Sequence, residues 1–199
     1  MAISAKMVQE LRSKTNVGMM DCKKALVESD GDMEKAIELL RTSGVAKAED
    51  RAHRTAKEGL ITSYIHTGSK LGVMLEVNSE TDFVARTDQF QTFARDLAMH
   101  IAASAPIAVS RDQLDEAGIE RERRIFRQQA LDEGKPERVL DRIVDGRLEK
   151  YYQDVCLMEQ PFVKDPDKTV RDLLMDLIAQ CGENVTVRRF ERFVLGEES

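Results

Sequence analysis

The stretch Glu80-Thr81-Asp82-Phe83-Val84-Ala85-Arg86 sets an acidic residue directly before a large aromatic one. The stretch fits neither the strand pattern before it nor the helical pattern after it. Upstream, Leu71, Val73, Leu75 and Val77 alternate with period two, the pattern of a buried strand. Downstream, Phe90, Phe93, Ala94, Leu97, Ala98 and Ile101 fall on one helical face. Loops held between rigid elements often carry working residues. The same pattern has a plainer reading. Phe83 lies seven residues before Phe90 and extends its buried face, while Asp82 caps the helix.

Met19, Met20 and Lys23 form a second candidate surface. At about 100° per residue, Met20 and Lys23 point away from Cys22, Ala25 and Leu26, with Met19 between. Two methionines at a helix start make an adaptable apolar surface. Arg12, off the core face of the preceding helix, can join it. The plainer reading packs both methionines against the following linker and leaves Lys23 solvated.

Other chemistry is missing from the sequence. It has no P-loop, no G-x-G-x-x-G and no nucleophile-elbow motif. His53, His66 and His100 stand alone, and no metal-ligand spacing appears. The cysteines, Cys22, Cys156 and Cys181, are odd in number and far apart, which fits a reducing compartment. No run approaches the roughly 20 apolar residues of a membrane span, and no secretory signal is visible. The 199 residues are 42% hydrophobic and 33% charged, with net charge -6, a balance that argues against a general nucleic-acid binder. A cytoplasmic binding protein is expected rather than an enzyme. No cofactor, metal ion, membrane, or direct nucleotide or nucleic-acid contact is expected.

The elements that must position these residues are legible in order. Residues 4–44 read as three helices. Ser4 caps the first, whose face is Met7, Val8 and Leu11; Thr15-Asn16-Val17-Gly18 breaks it. The second runs from about Met19 to Glu28. Asp32 caps the third, whose face is Met33, Ala36, Ile37 and Leu40, and Gly44 stops it. Residues 45–57 read as a linker. Leu60–His66 and Leu71–Asn78 flank Thr67-Gly68-Ser69 as a hairpin. Thr87-Asp88 caps the Phe90 helix, and Pro106 ends it. From about 110 to 158, two charged arms carry a narrow apolar seam and reverse at Gly134-Lys135-Pro136. They predict an antiparallel helical hairpin that projects from the body. Residues 160–163 read as a loop, and Val170–Cys181 as a helix ended by Gly182. Asn184–Leu195 reads as a strand with a bulge near Arg188-Arg189. The fold class is α+β: an N-terminal three-helix bundle, then a small antiparallel sheet packed with helices and a protruding helical hairpin. A sheet this small has edges to hide, and pairing with a second copy hides them.

Two runs carry a resemblance. They are Thr15-x-x-Gly18-Met19-Met20-Asp21-Cys22-Lys23-Lys24-Ala25-Leu26 and Glu76-Val77-Asn78-x-x-Thr81-Asp82-Phe83-Val84-Ala85-Arg86. Both resemble signature stretches of the elongation factor Ts family. Met99-His100-Ile101-Ala102, Gly134-Lys135-Pro136, Glu159-Gln160-Pro161-Phe162-Val163 and the stretch from Arg189-Phe190 to Gly196 extend the resemblance over nearly the whole chain. It implies guanine-nucleotide exchange on elongation factor Tu, with GDP release promoted at the magnesium and phosphate site of that partner. It implies a ubiquitin-associated-like N-terminal domain over residues 1–55 and a core dimerisation domain over 56–199. Longer members carry two related core halves; this chain has one, so a homodimer is implied. The partner-binding residues implied are Asp82, Phe83, Thr81, Val84, Arg12, Met19, Met20, Lys23 and His100. The alternative from another class is a non-catalytic helical adaptor that binds peptide or RNA.

Overall fold

The computed structural model describes residues 3–15, 17–51 and 53–197, with the backbone alone for 45–50. Asn16, inside the predicted break, and Ala52, inside the predicted linker, lie outside the described residues. The chain divides into two compact units. One comprises residues up to Thr62, Leu75–Asp96 and Asp172–Arg188; the other comprises Ser63–Met74, Leu97–Arg171 and Arg189 onward.

The first unit begins with α1 (Ala5–Thr15), α2 (Met19–Glu28) and α3 (Met33–Arg51). The Ser4 hydroxyl accepts from the Met7 N–H at 3.3 Å, and the Asp32 carboxylate accepts from the N–H groups of Glu34 and Lys35, so both expected caps form. Val8, Leu11, Cys22, Ala25, Leu26, Ala36 and Leu40 make one buried cluster. Ile37, expected on the third face, is exposed; Leu39 packs against the cluster instead.

Gly44 does not stop α3, which continues to Arg51. A Cβ built on Gly44 would lie 3.0 Å from that of Ala179, so this glycine permits a close approach between α3 and the helix that carries Ala179. That helix, α8 (Val170–Cys181), is the predicted one and ends at Gly182 with φ of 75°. An Arg51 guanidinium N–H donates to the Ile178 carbonyl near the α8 C-terminus.

The sheet has the order β1 (Glu58–Ile65), β2 (Leu71–Ser79), β5 (Val185–Val194), antiparallel. The β1–β2 turn is the predicted one, with Gly68 and Ser69 both at positive φ. Leu75 and Val77 of β2, Phe90 and Ala94 of α5 (Asp88–Ser104), Leu177 and Ile178 of α8, and Val185 and Val187 of β5 are all withdrawn from water within the first unit. The burial alternation of β5 slips at Arg188 and Arg189, which are both exposed.

In the second unit, α6 (Glu116–Asp132) and α7 (Glu137–Val155) form the predicted antiparallel hairpin, turned at Gly134 with φ of 72°. Ala130, Leu140, Val144 and Leu148 fill its narrow seam. Arg123–Asp145, Arg127–Asp141 and Arg147–Glu133 pairs cross it. At its base, Arg111 makes paired hydrogen bonds to both Glu149 and Glu159 and lies 4.3 Å from the Tyr152 ring centre. The stretch expected as a loop at 160–163 instead contributes β3 (Pro161–Phe162), paired with β4 (Asp165–Thr169). Its pairing is too short and irregular, with a register break between Pro161 and Phe162, to leave an alternating sequence pattern.

Gly59 adopts φ of 140°, and a Cβ there would collide with the Val77 carbonyl oxygen. Replacing Gly59 by Ala should lower stability by about 2 kcal/mol or more, because the atom met is backbone. Urea unfolding with unchanged m-value and a lowered midpoint is the expected reading. An unaltered midpoint would show that the strand pair absorbs the methyl.

Candidate functional site

After β2 the chain turns sharply into the four-residue helix α4 (Asp82–Ala85). Val84 and Ala85 turn inward and are buried. Phe83 turns outward and is 78% exposed. The plainer reading of the sequence therefore fails at this residue. It treated Phe83 and Phe90 as one helical face, but the helix breaks between them. Arg86 closes α4, and the Thr87 hydroxyl accepts from the Phe90 N–H at 3.3 Å to start α5 afresh. Asp82 is the first residue of α4 rather than its cap, and it pairs with Arg86 at 2.7 Å. Both groups are well exposed, so that pair contributes about 1 kcal/mol at most.

Thr81 stands at the cap position of α4 but makes no side-chain cap bond. A Thr cap is worth about 1 kcal/mol, so its diversion needs a cause. The cause is Glu183. One carboxylate oxygen accepts from the Thr81 N–H at 3.0 Å and the other from the Thr81 hydroxyl at 2.7 Å. The favour is returned one residue along: the Glu80 carboxylate accepts from the Asn184 N–H at 2.6 Å. The Asn184 amide donates to the Arg54 carbonyl at 2.7 Å, and the Arg54 guanidinium lies 3.5 Å from Glu80. Buried Ser79 donates its hydroxyl to the Thr81 carbonyl at 2.8 Å. Glu183, Asn184 and Arg54 were not singled out from sequence. Their partners lie about a hundred residues away or across the linker, and no local pattern reports such a distance.

On the N-terminal bundle, Met19 and Met20 are exposed, Met20 at 66%. Exposure of this extent counts against the plainer reading, in which both were covered. Met20, Lys23, Lys24, Val27 and Glu28 line a shallow groove of about 440 Å³. Arg12 is exposed on α1. Val27 was missed, although a signal was present. Met20, Lys23, Lys24 and Val27 recur at i, i+3, i+4 and i+7, a second helical stripe on the outer side of α2.

His100 lies elsewhere, in the second unit, and is 0% exposed. Its Nδ1 accepts from the Val163 N–H at 3.2 Å, so the proton sits on Nε2, which donates to the Gln160 side-chain oxygen at 2.9 Å. The Gln160 amide in turn donates to the carbonyls of Asp154 and Ser104. The Phe162 ring lies 5.7 Å from the imidazole, centre to centre. Both ring nitrogens are used, and a direct contact with a partner is closed to His100 in this conformation. Its contacts run to the Val163 backbone, Gln160 and Phe162.

Chemistry of the covalent kind has little support. Burial pushes the thiols of Cys156 and Cys181 up, away from the reactive thiolate. Among the described residues, no group of three His, Cys, Asp or Glu is placed to hold a metal ion. None of their helices is long and apolar enough to cross a membrane. What the fold presents is contact chemistry: an acid–aromatic tip and a methionine–lysine groove.

Burial lowers the His100 pKa below its ordinary value, against a smaller opposing effect of Gln160. The unfolded chain, with a His near pKa 6.5, therefore takes up the proton first as pH falls. The contribution of neutral His100 is complete above about pH 6.5 and is lost as pH falls toward the folded value. The urea midpoint should fall more steeply between pH 7 and 5 in the parent than in His100→Gln. Equal slopes would exclude His100 as the titrating group.

The family model described as "Elongation factor TS" matches residues 2–197. The chain is 57% identical to elongation factor Ts of Carboxydothermus hydrogenoformans over 195 residues, 98% of this chain and 90% of that protein. It is 58% identical to elongation factor Ts of Desulfotalea psychrophila over 196 residues, 98% and 100% of the two chains. Elongation factor Ts of a Thermoanaerobacter species is 55% identical over 98% of this chain and 96% of its own. Likeness of this extent, end to end, means that the chain belongs to the elongation factor Ts family.

Proposed function

We propose that this chain releases GDP from elongation factor Tu by binding alone, with Asp82 and Phe83 as the working tip. Guanine-nucleotide exchange on elongation factor Tu in translation is the activity of the family and of this chain. The finer reading is how these residues carry it out. A factor that binds the nucleotide-free partner more tightly than the GDP form must, by linkage, weaken GDP binding by the same factor. Phe83 enters the GTPase domain of the partner as an apolar wedge. Asp82 disturbs the polar contacts that hold its magnesium ion. With the ion displaced, the phosphate charge is less well neutralised and GDP leaves. Thr81 and Val84 hold the tip from either side. His100 supports the Val163 loop from beneath.

The observation that carries this reading is the exposure of Phe83 on a turn whose neighbours Val84 and Ala85 are buried. Residues 1–55 act as a partner-binding domain, in which Arg12, Met19, Met20 and Lys23 grip the same GTPase domain. Residues 56–199 form the core. The setting is the cytoplasm, and no chemical step is required of the factor. In GDP-release assays on purified elongation factor Tu, Phe83→Ala should weaken the nucleotide-free complex by about 2 kcal/mol, about thirtyfold in affinity. Asp82→Ala should slow release with less effect on that affinity. Full acceleration by both folded variants would sink the wedge.

A homodimer completes the reading. Within the second unit, Ile65, Met74, Phe193 and Leu195 surround a groove of about 540 Å³; Phe193 is 65% and Leu195 76% exposed. Apolar residues this exposed at the end of a three-stranded sheet support burial against a second copy. Sedimentation should show a dimer for the parent and a folded monomer for Phe193→Glu. A monomeric parent at micromolar concentration would refute the pairing.

A further inference from the structure

Two short segments of the first unit meet by exchanging carboxylates: Glu80 accepts from the Asn184 backbone, and Glu183 accepts from the backbone and hydroxyl of Thr81. The geometry points to Glu183 as the positioning residue that holds Asp82 and Phe83 in their outward direction. Its consequence for exchange rests on the reading of Phe83 as the wedge.

Three features carry this. First, the Thr81 hydroxyl is turned to Glu183 instead of capping α4, so the local helix gives up its own bond for the distant one. Second, both Thr81 donors go to the two oxygens of one carboxylate. A single hydrogen bond leaves a residue free to swivel about it; two from one planar group fix both position and direction. Third, Thr81 is the last extended residue before the tip, with φ of -128° and ψ of 156°. Its orientation sets the axis of α4, and Phe83 is only two residues beyond. Ser79 holds the Thr81 carbonyl from inside the chain, and Glu80 is held by Asn184. The segment before the tip is therefore fixed on successive residues. The tip beyond it is held by the burial of Val84 and Ala85 and, more weakly, by the exposed Asp82–Arg86 pair. A wedge works by arriving in one direction, and misplacement by an ångström costs far more in rate than in binding.

The test reads maximal GDP-release rate and half-saturating factor concentration separately, in the full-length protein. Glu183→Ala should lower the maximal rate about tenfold while the half-saturating concentration moves less than about threefold. Glu183→Gln keeps an acceptor for the N–H and a donor for the hydroxyl oxygen, and should retain the rate within about twofold. In an Asp82→Ala, Phe83→Ala background, adding Glu183→Ala should change the rate by less than about twofold, because both of its targets are already gone. A full rate in Glu183→Ala, or the same tenfold loss on top of the Asp82→Ala, Phe83→Ala pair, overturns the proposal. If Glu183→Ala does not fold, Thr81→Val removes only the hydroxyl half and must still slow release; a full rate there overturns it too.

A second measurement separates the clamp from the wedge. The chain has no tryptophan, so Phe83→Trp places a single fluorophore at the tip. Its anisotropy should fall when Glu183→Ala is added and recover with Glu183→Gln. Unchanged anisotropy overturns the positioning role. A fall in anisotropy with exchange unaffected by Phe83→Ala supports the clamp and rejects the wedge alone.

Discussion

Holding an aromatic ring out in water is the constraint on which the rest of this unit depends. Exposure of Phe83 forgoes about 2 kcal/mol that burial of such a ring would contribute. The chain bears this only if the neighbouring residues cannot rearrange to cover the ring. Val84 and Ala85 are committed inward on one side, and Ser79 and Thr81 are bonded in place on the other. Strand β2 and the turn between α8 and β5 are both needed to make those commitments, since Ser79 comes from the one and Glu183 and Asn184 from the other. The tip is thus a property of the assembled unit rather than of seven residues.

This explains which parts were legible beforehand. Apolar periodicity is a local signal, and it located α1, α2, α5, α8, the β1–β2 hairpin and the seam of α6 and α7. It went astray where a residue answers to a distant neighbour. Gly44 reads as a helix stop on its own, yet it serves the contact with Ala179. Phe83 reads as core by its spacing from Phe90, yet the spacing has no meaning once Arg86 and Thr87 interrupt the helix. His100 looked like a histidine standing alone, and its two partners lie 60 and 63 residues away. The resemblance of the Thr81-Asp82-Phe83 stretch to a family signature supplied the exposure that pattern could not. Glu183 was visible to neither, because nothing near it in sequence demands a carboxylate.

The two contact surfaces differ in physical kind. The Asp82–Phe83 tip is small, braced and directional. The α2 groove is broader, built from thioether and ammonium side chains that adapt to what they meet. A rigid element suits a step that must distort its target, whereas a compliant one suits attachment over a range of target conformations. The helical hairpin belongs to the rigid kind. Its seam is apolar and its flanks are tied by arginine–carboxylate pairs, with Arg111 fastening the base to the turns on either side.

The continuation of α3 through Gly44 bears on how these surfaces work together. Had the helix stopped there, the bundle would hang on a flexible tether, and the α2 groove and the tip would find their target independently. With α3 unbroken to Arg51 and seated against α8 at Ala179 and Ile178, both surfaces belong to one body. On the proposed reading, capture by the groove presents the tip at a high effective concentration, limited by geometry rather than by diffusion. A modest affinity at each surface becomes a strong hold when both engage. On that reading the hold drops sharply once returning nucleotide displaces either one, so the avidity proposed to open the target also lets the factor leave it.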